Sequence, residues 1–355
     1  MRCHLLAWWS RRAPVCWHTI SSPNKAEQAV HRRNLLGASA AAAGLALLGC
    51  RRTNPMTGSF LQPWRSHLQW TPEQWHARLL ATRQLGISEL FLQWSGIIGH
   101  DVSHTWQLPD AMLQQLLDVC EELGMRLHMG LPYDERWWKA IAYAPGTTQA
   151  AGPGTAAFLQ SIQASGSLYM QRSRWPVHPA FAGWYIPYEI EQYHWASTQR
   201  VDTLSRALQK WSATALATSG RVPSISTYFS QLPTPGRLEQ LWVQLLDQIQ
   251  LHPMIQDGVG VAGLRNYAAL SPLRDTLLQR QAPFDLIVEL FEQLPTTQTD
   301  GSDFRAQSAS AQRLQMQWAV AQRYGAQRVV AFAVDPWVLD DTTRARHLRT
   351  RWPMA

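Results

Sequence analysis

The sequence predicts an α/β fold, a (β/α)8 TIM barrel that forms a single domain after an N-terminal export signal. From Gly58 onward, short apolar segments alternate with segments whose apolar residues recur at three-and-four spacing, as strands and helices do in such a barrel. About 300 of the 355 residues follow the signal, a length that suits one domain of this kind. An open doubly wound sheet is the alternative, but no G-x-G-x-x-G motif follows the first predicted strand.

Residues 1–49 are predicted to be an export signal rather than part of the fold. The segment HRRNLLGASAAAAGLALLGC contains Arg32 and Arg33, continues with an apolar run from Leu35 to Leu48, and ends at Cys50. It resembles a twin-arginine signal that ends in a bacterial lipoprotein box, with cleavage before Cys50 and lipid on that cysteine. A transmembrane anchor is the alternative, but fourteen apolar residues are few for a bilayer. We therefore expect a periplasmic lipoprotein anchored to a membrane, with the outer membrane favoured.

The signal accounts for most of the positive charge. Residues 1–49 carry six basic side chains and one acidic side chain, so only about +2 of the net charge of +7 belongs to the remainder. No basic run remains there that would bind nucleic acid. Cys120 is the one cysteine beyond Cys50, which excludes an internal disulfide. Residues 50–57 are a predicted linker, and residues 58–355 form the barrel domain, which we expect to be a monomer.

The predicted elements follow one another in a regular order. Thr71 caps the first helix and Pro72 occupies its first position, while Pro109 and Asp110 open the second helix. A stretch rich in Gly, Pro and Thr, from Pro145 to Thr155, is predicted to be a long loop after the third strand. The eight predicted strands are Gly58–Trp64, Ile87–Trp94, Met125–Leu131, the stretch that begins at Gly183, Val222–Phe229, Met254–Val261, Phe284–Phe291 and Arg328–Val334.

The stretch GWYIPYEIEQYHW, residues 183–195, is the strongest indication of function. It begins as an apolar aromatic strand, is expected to break at Pro187, and then places Glu189 and Glu191 among aromatic residues. Polar residues at the end of a barrel strand are typical of an active site, because the carboxyl ends of all eight strands meet at one face. The alternative is that both glutamates only solvate a loop.

The other predicted strand ends carry acids, amides and aromatic residues with little positive charge. This set suits a neutral polyhydroxylated ligand such as a sugar, and Trp64, Trp94, Trp184 and Trp337 would be platforms for its rings. The predicted substrate-binding residues are Gln62, Trp64, Gln93, Trp94, His128, Trp184, Tyr188, Glu191, Tyr228, Asp257, Glu292, Asp335 and Trp337. His128 has no second histidine at ligand spacing, so neither a metal nor another cofactor is expected.

Four further tryptophans lie on apolar helix faces and are assigned to packing. They are Trp75, Trp211, Trp242 and Trp318.

Glu289 is a charged residue inside an otherwise apolar predicted strand. A buried, unpaired charge would cost several kcal/mol, so its carboxylate requires either an arginine partner or a wet cavity. We predict that Glu189 is the catalytic acid/base and Glu289 the nucleophile, with Tyr228 donating a hydrogen bond to Glu289. Glu292 is the second choice for the nucleophile.

Six segments, FLQPW, TPEQWHARL, FLQWSG, GWYIPYEI, IQDGVG and VELFE, resemble the bacterial family DUF4434. The resemblance covers nearly all of the chain after Gly58 and implies a TIM barrel with a sugar-cleaving role and no established substrate. The layout is similar, more distantly, to barrel glycosidases with the acid/base at strand four and the nucleophile at strand seven. Those enzymes usually have Asn-Glu at strand four, whereas this chain has Tyr188-Glu189, so Gln62 or Gln93 would have to supply the amide.

Two functions remain open. The first is a retaining glycosidase that acts on a bacterial exopolysaccharide or related polysaccharide, which needs carboxyl groups about 5–5.5 Å apart. The second is a non-catalytic polysaccharide-binding lipoprotein of an exopolysaccharide or biofilm system. The opposed acids favour the enzyme, because binding alone needs aromatic and amide groups but no acid pair. A metal-dependent deacetylase is disfavoured, since its Asp and His ligand set is missing.

Overall fold

The computed structural model describes residues 55–142, 153–295 and 305–352. Eight parallel strands close into a barrel in which each strand pairs with its neighbours in the chain and the last pairs with the first, so the predicted fold class is confirmed. The barrel strands are β1 (Met56–Leu61), β2 (Glu89–Leu92), β3 (Arg126–Gly130), β4 (Phe181–Ile190), β5 (Ser224–Thr227), β6 (His252–Gln256), β7 (Asp285–Glu289) and β8 (Arg328–Phe332). Within the described ranges, no helix is both long enough and apolar enough to span a membrane.

One longer helix follows each barrel strand. These helices are α1 (Pro72–Gln84), α2 (Asp110–Glu122), α3 (Pro153–Arg172), α4 (Thr198–Ser219), α5 (Leu238–Leu246), α6 (Asn266–Gln279), α7 (Ala311–Ala321) and α8 (Thr343–Thr350). The predicted cap of α1 is present, because the main-chain N–H of Gln74 donates to the Thr71 hydroxyl at 3.3 Å. Gly86 and Gly124, just beyond α1 and α2, have φ of +89° and +62°, a conformation that glycine adopts without strain.

Short helical segments and two small sheets complete the fold. The short helical segments are Arg65–Gln69, Trp137–Ala140, Trp175–Val177, Val259–Ala262 and Val334–Trp337. In the first sheet, Gly96–Ile98 pairs antiparallel with Trp106–Gln107 and parallel with Tyr133–Asp134. In the second sheet, Phe291–Gln293 pairs antiparallel with Ala306–Ser308. Both sheets belong to loops that follow barrel strands, so they lie at the carboxyl end of the barrel, where loops build the functional face.

Two apolar regions hold the barrel together. The outer region, between strands and helices, contains all four tryptophans that the sequence assigned to packing: Trp75, Trp211, Trp242 and Trp318. The inner region consists of one or two side chains from most strands, namely Phe60, Phe91, Tyr185, Met254, Ile287, Val330 and Ala333. Because these inner side chains contact one another, they identify the inward face of each strand. Cys120 is buried on α2, and burial raises the pKa of its thiol to about 12.

Charged side chains form a floor at the amino end of the barrel. The guanidinium of Arg328 donates to Asp285 at 2.7 Å and to Glu89 at 2.6 Å. His252 Nε2 lies 3.0 Å from Asp285 Oδ2, and His128 Nε2 lies 3.0 Å from Glu89 Oε2. We call these five residues the barrel floor.

Strand β4 does not break at Pro187, contrary to the prediction. It continues to Ile190, and a bulge accommodates the proline: Ile186 and Ile190 pair with residues of β5 that are only two positions apart. Proline lacks the N–H that a regular ladder needs, so it is tolerated where a bulge leaves a residue unpaired. The bulge carries Glu189 to the carboxyl end of the barrel.

Several sequence-based expectations concern residues outside the described ranges. These are the export signal, residues 1–49, the lipidated Cys50 and most of the loop from Pro145 to Thr155. The expectations about export and lipidation therefore still rest on the sequence alone.

Candidate active site

The inward side chains at the carboxyl end of the strands form the mouth of the barrel. Side chains alternate along a strand, so residues two positions beyond the inner apolar region again face inward. The mouth residues found in this way are Gln62, Gln93, Gln256, Glu289 and Phe332, to which the β4 bulge adds Glu189. Gln62 Nε2 donates a 2.8 Å hydrogen bond to Gln93 Oε1. The mouth is thus mainly a set of amides and acids above an apolar layer.

Glu189 is buried at the mouth, with 7% of its surface exposed. Gln256 Nε2 donates a 2.7 Å hydrogen bond to Glu189 Oε1. Removal from water raises the pKa of Glu189 to about 7, and the hydrogen bond from Gln256 opposes part of this rise. At neutral pH the group is therefore divided between acid and carboxylate, as a general acid/base requires.

Glu289 is the second buried acid of the mouth. The main-chain N–H of Gly260 donates a 2.7 Å hydrogen bond to Glu289 Oε2. Burial, followed by the negative charge of Asp257, raises the pKa of Glu289 well above its ordinary value, and the charge of Glu189 adds to this rise. The Gly260 hydrogen bond and the positive charge of Arg313 act in the opposite direction. Glu189 and Glu289 therefore lie close enough for the ionisation of one to affect the other.

Asp257 supports Glu289 and is fully enclosed. Tyr267 OH and Gln317 Nε2 donate to its Oδ2 at 2.9 and 2.7 Å, and the main-chain N–H groups of Val259 and Glu289 donate to its Oδ1 at 3.1 and 3.2 Å. Burial raises the pKa of Asp257, while these donors stabilise its charged form. Since its oxygens are occupied by protein donors, Asp257 holds the loop after β6 rather than binding substrate, which corrects the prediction.

Tyr228 was the expected hydrogen-bond donor to Glu289. Burial, followed by the charges of Glu191 and Glu189, raises the pKa of its phenol well above the ordinary value, so the phenol keeps its proton. The main-chain N–H of Gly260 is a donor to Glu289 Oε2, and the role of Tyr228 as a further donor stays a prediction.

Two of the predicted tryptophan platforms are partly exposed. Trp64 and Trp337 both retain surface next to the barrel mouth. Trp94 is buried beneath Trp64, with ring centroids 5.4 Å apart in an edge-to-face arrangement, and its Nε1 donates to Pro63 O at 2.8 Å. Trp64 and Trp337 can therefore contact a ligand, whereas Trp94 supports Trp64 from below.

Two predicted site residues on β4 face away from the mouth. Trp184 is buried and its Nε1 donates to Thr218 Oγ1 of α4 at 3.1 Å. Tyr188 stacks on Trp211 of α4, with ring centroids 5.3 Å apart. Since Tyr185 faces inward, the alternation of side chains turns Trp184 toward the helices. Tyr188 lies within the bulge, and its stacking on Trp211 directs its ring toward α4. Neither residue lines the mouth, which corrects both predictions.

His128 and Glu191 also have structural partners instead of a place at the mouth. His128 stacks on Phe91, with ring centroids 4.1 Å apart, and belongs to the barrel floor. The Glu191 carboxylate is fully buried and accepts hydrogen bonds from the main-chain N–H groups of Tyr193 and His194. Its second contact is the His194 ring, so Glu191 stabilises the turn after β4.

Glu292 and Asp335 form ion pairs outside the mouth. The half-exposed Glu292 pairs with Arg344 at 2.9 Å, so it does not face Glu189 as a second candidate nucleophile should. Asp335 pairs with Arg78 of α1 at 3.1 Å, and burial raises the pKa of Asp335 to about 6. Neither carboxylate is a mouth residue.

The sequence analysis missed Gln256, Gly260 and Phe332. Gln256 lies two positions beyond the inward Met254, so the period of two along β6 could have identified it. Gly260 contributes only its main-chain N–H, for which the sequence carries no side-chain signal.

It also missed a group that could hold a metal. His100, Asp101 and His104 have ligand atoms within 4.8 Å of one another, in the loop that connects Gly96–Ile98 with Trp106–Gln107. The spacing H-D-x-x-H in HDVSH was the available signal.

A family model described as "Domain of unknown function (DUF4434)" matches residues 56–343, which is most of the chain. The chain belongs to the DUF4434 family. The DUF4434 match contains all eight barrel strands and both acids of the mouth, and it confirms the resemblance noted in the six segments. A curated relative, the uncharacterized protein YbcH of Escherichia coli (strain K12), is 23% identical over 209 residues. That match covers 58% of this chain and 66%, just under two thirds, of the relative's length.

Solved structures share the barrel of this DUF4434 protein. A candidate alpha-L-fucosidase from Bacteroides thetaiotaomicron VPI-5482 superposes with a TM-score of 0.62 and 16% identity, covering 84% of this chain and 92% of that chain. The beta-galactosidase of the psychrophilic Marinomonas ef1 gives a TM-score of 0.51 with 11% identity, covering 82% of this chain and 56% of that chain. At these identities the similarity establishes the fold alone.

Proposed function

We propose that this protein is a glycoside hydrolase whose acid pair is Glu189 and Glu289. The observation that carries the proposal is the pair itself: two buried carboxyl groups project from β4 and β7 into one mouth, and the charge of one shifts the pKa of the other. Two buried acids with raised pKa values are costly for the fold, and such groups concentrate at catalytic sites. The fold shared with solved glycosidases supports the same reaction class.

In the proposed reaction, Glu189 protonates the glycosidic oxygen. Its pKa of about 7 leaves a substantial protonated fraction at neutral pH, and Gln256 orients the carboxyl group. Glu289 attacks the anomeric carbon as the bond from that carbon to the protonated glycosidic oxygen breaks, and the Gly260 N–H stabilises the charge of Glu289. The leaving sugar departs as an alcohol, and a water molecule deprotonated by Glu189 then hydrolyses the glycosyl ester and frees Glu289. Protonation of Glu189 removes one of the negative charges that raise the pKa of Glu289, so a proton on the first acid favours ionisation of the second. The Gly260 N–H and the positive charge of Arg313 also favour the ionised form of Glu289, which attack on the anomeric carbon requires. We propose that the reaction is retaining, with Glu289 as the nucleophile.

The proposed substrate is a bacterial exopolysaccharide or a related polysaccharide. The mouth combines amides and acids with the partly exposed Trp64 and Trp337, a set that suits sugar hydroxyls and the apolar faces of sugar rings. The barrel floor carries Arg328, but that cation is paired with Asp285 and Glu89 and lies below the apolar layer.

The test uses protein isolated from cells that express the full chain, incubated with a panel of bacterial exopolysaccharides. Released oligosaccharides and their anomeric configuration are measured by chromatography and NMR. We expect Glu189→Gln and Glu289→Gln each to lower the rate by orders of magnitude, and the first-formed product of the wild type to keep the substrate's configuration. Glu292→Gln is the matched control, since Glu292 is a half-exposed carboxylate of the same region.

The outcomes separate the two functions left open by the sequence. Binding of a polysaccharide without any released product, unaffected by Glu189→Gln, would favour the non-catalytic polysaccharide-binding lipoprotein. Products of inverted configuration would be consistent with the same pair of acids, but Glu289 would then act as the base that activates a water molecule.

We further propose that the protein is a periplasmic lipoprotein anchored through Cys50 after twin-arginine export. The apolar run that ends at Cys50 supports this location. We expect Cys50→Ala to move the protein from the membrane to the soluble periplasmic fraction, and replacement of Arg32 and Arg33 by lysine to block export. Normal processing of the double lysine variant would exclude the twin-arginine route.

A further inference from the structure

The loop of residues 99–105, which we call the rim loop, places two histidines and an aspartate together beside the barrel mouth. Asp101 is the centre of the group: His100 Nε2 lies 3.1 Å from its Oδ2, and His104 Nδ1 lies 2.8 Å from its Oδ1. The centroids of the two imidazole rings are 4.0 Å apart. One ligand atom from each of the three residues lies within 4.8 Å of the other two. Ligand atoms bonded to zinc at 2.0–2.1 Å in a tetrahedron are about 3.3 Å apart, so the spacing of the three groups is of the right order.

Glu135 provides a second and independent observation. It comes from another loop, after β3, and its Oε1 lies 2.8 Å from His100 Nδ1. A histidine that ligates a metal through one ring nitrogen commonly donates its other N–H to a carboxylate, which fixes the tautomer and the ring orientation. Glu135 thus holds His100 with Nε2 directed toward Asp101 and available as a ligand.

The small sheet at the mouth holds the backbone around these residues in place. The rim loop closes the hairpin between Gly96–Ile98 and Trp106–Gln107, and the main-chain N–H of Glu135 donates to Ile98 O at 3.1 Å. At Gly99 a Cβ atom would lie 2.4 Å from the Cβ of His104, so the hairpin can close this tightly only with glycine there. The group is therefore arranged before any ligand arrives.

We propose that His100, Asp101 and His104 bind a divalent transition-metal ion of the zinc class, with Glu135 as the residue that orients His100. The ligands are His100 Nε2, Asp101 Oδ2 and His104 Nδ1. Asp101 Oδ1 already accepts from Ser103 Oγ at 2.6 Å and from the main-chain N–H of His104 at 3.0 Å. It also lies 2.8 Å from His104 Nδ1, which exchanges this contact for the ion when the metal binds. Two imidazoles and one carboxylate select zinc, cobalt or nickel over magnesium and calcium, which prefer an all-oxygen set. A fourth position remains for water or a ligand.

All three ligands lie in the rim loop, and the contact between Glu135 and His100 connects the site to a second loop, which follows a different barrel strand. The site is separate from the acid pair, and the proposal stands whether or not the protein cleaves sugars.

The experiment measures Zn²⁺ binding to the full-length protein by titration calorimetry, and Co²⁺ binding by visible absorption. We expect the wild type to bind one equivalent more than His100→Ala/His104→Ala, and its Co²⁺ absorption to be lost in that double variant. His76→Ala is the matched control, because His76 is a surface histidine that pairs with one carboxylate, that of Glu122, at 3.1 Å. Glu135→Gln should bind the metal about 10–100-fold more weakly.

Equal stoichiometry and affinity in the wild type and the double variant would overturn the site. An equal loss of binding in His76→Ala would also overturn it, since it would indicate scattered surface coordination. Unchanged affinity in Glu135→Gln would remove the orienting role of Glu135. Thermal melting without metal shows whether each variant is folded, and added Zn²⁺ should raise the Tm of the wild type only.

Discussion

Replacing Glu189 with glutamine should stabilise the protein, and the gain should grow with pH. The carboxyl group has a pKa of 4.5 in water and about 7 in the folded protein. Below pH 4.5 it is protonated in both states, and its ionisation costs the fold nothing. Above pH 7 it is ionised in both states, and the folded protein bears the full cost of burying the charge.

The magnitude follows from this pKa difference. Since a tenfold change in an equilibrium constant corresponds to about 1.4 kcal/mol, the cost reaches roughly 3 kcal/mol above pH 7 and is below 1 kcal/mol at pH 5. Glutamine carries no charge and keeps an oxygen that can accept the hydrogen bond from Gln256. The stability difference between Glu189→Gln and the wild type should therefore increase by about 2–3 kcal/mol between pH 5 and pH 8.

Urea unfolding followed by tryptophan fluorescence at both pH values measures this difference. Glu292→Gln is the control, because its carboxylate is half-exposed and pairs with Arg344 at the surface, where an ion pair contributes little. The same difference at pH 5 and pH 8 would refute the raised pKa of Glu189 and, with it, the argument that this group supplies a proton at neutral pH.

Three further expectations follow from the mouth. Glycosidase activity should fall as pH rises through about 7, where Glu189 loses its proton; a flat rate to pH 9 would contradict its role as the acid. A Cβ at Gly260 would lie 2.5 Å from Phe291 O and 2.9 Å from Glu289 Oε2, so Gly260→Ala should destabilise the fold by about 1–3 kcal/mol and lower kcat. If Gly260→Ala had the same unfolding curve and the same kcat as the wild type, the loop would be able to accommodate the added Cβ and this expectation would be wrong. Trp64→Ala should weaken polysaccharide binding by about 1–3 kcal/mol in a fluorescence titration, and unchanged affinity would exclude Trp64 as a platform.

The succession of elements could be predicted because its signals are local. Thr71 caps α1, as the sequence predicts, and Pro72 occupies the first position of that helix. The break assigned to Pro187 was wrong, because a proline reveals the loss of an N–H donor but not whether the neighbouring strand can bulge around it.

The sequence could predict which residues of the site lie at the ends of strands, but not which way their side chains point. Glu189 and Glu289 each lie at the carboxyl end of a barrel strand, and these ends meet at one face of the barrel. Their proximity could therefore be predicted from the fold class. The direction of a side chain near a strand end depends on the exact register of the strand. Trp184 and Tyr185 are adjacent, yet Tyr185 points into the barrel and Trp184 points toward the helices.

Tertiary partners account for the remaining errors. Glu191 is satisfied by its own turn, while Asp335 is satisfied by an arginine far away in sequence. Neither partner is visible in the local pattern of the chain.

The barrel floor has a consequence for how any ligand can move. Its five residues occupy the amino end of the barrel beneath the apolar layer. The barrel is therefore closed at that end, and the acids are reached only from the carboxyl end. If the substrate is a polysaccharide, as proposed, its chain would therefore lie across the mouth and would not thread along the barrel axis. A ligand that enters through the mouth must also leave through it, so a bound product would block the binding of the next substrate molecule.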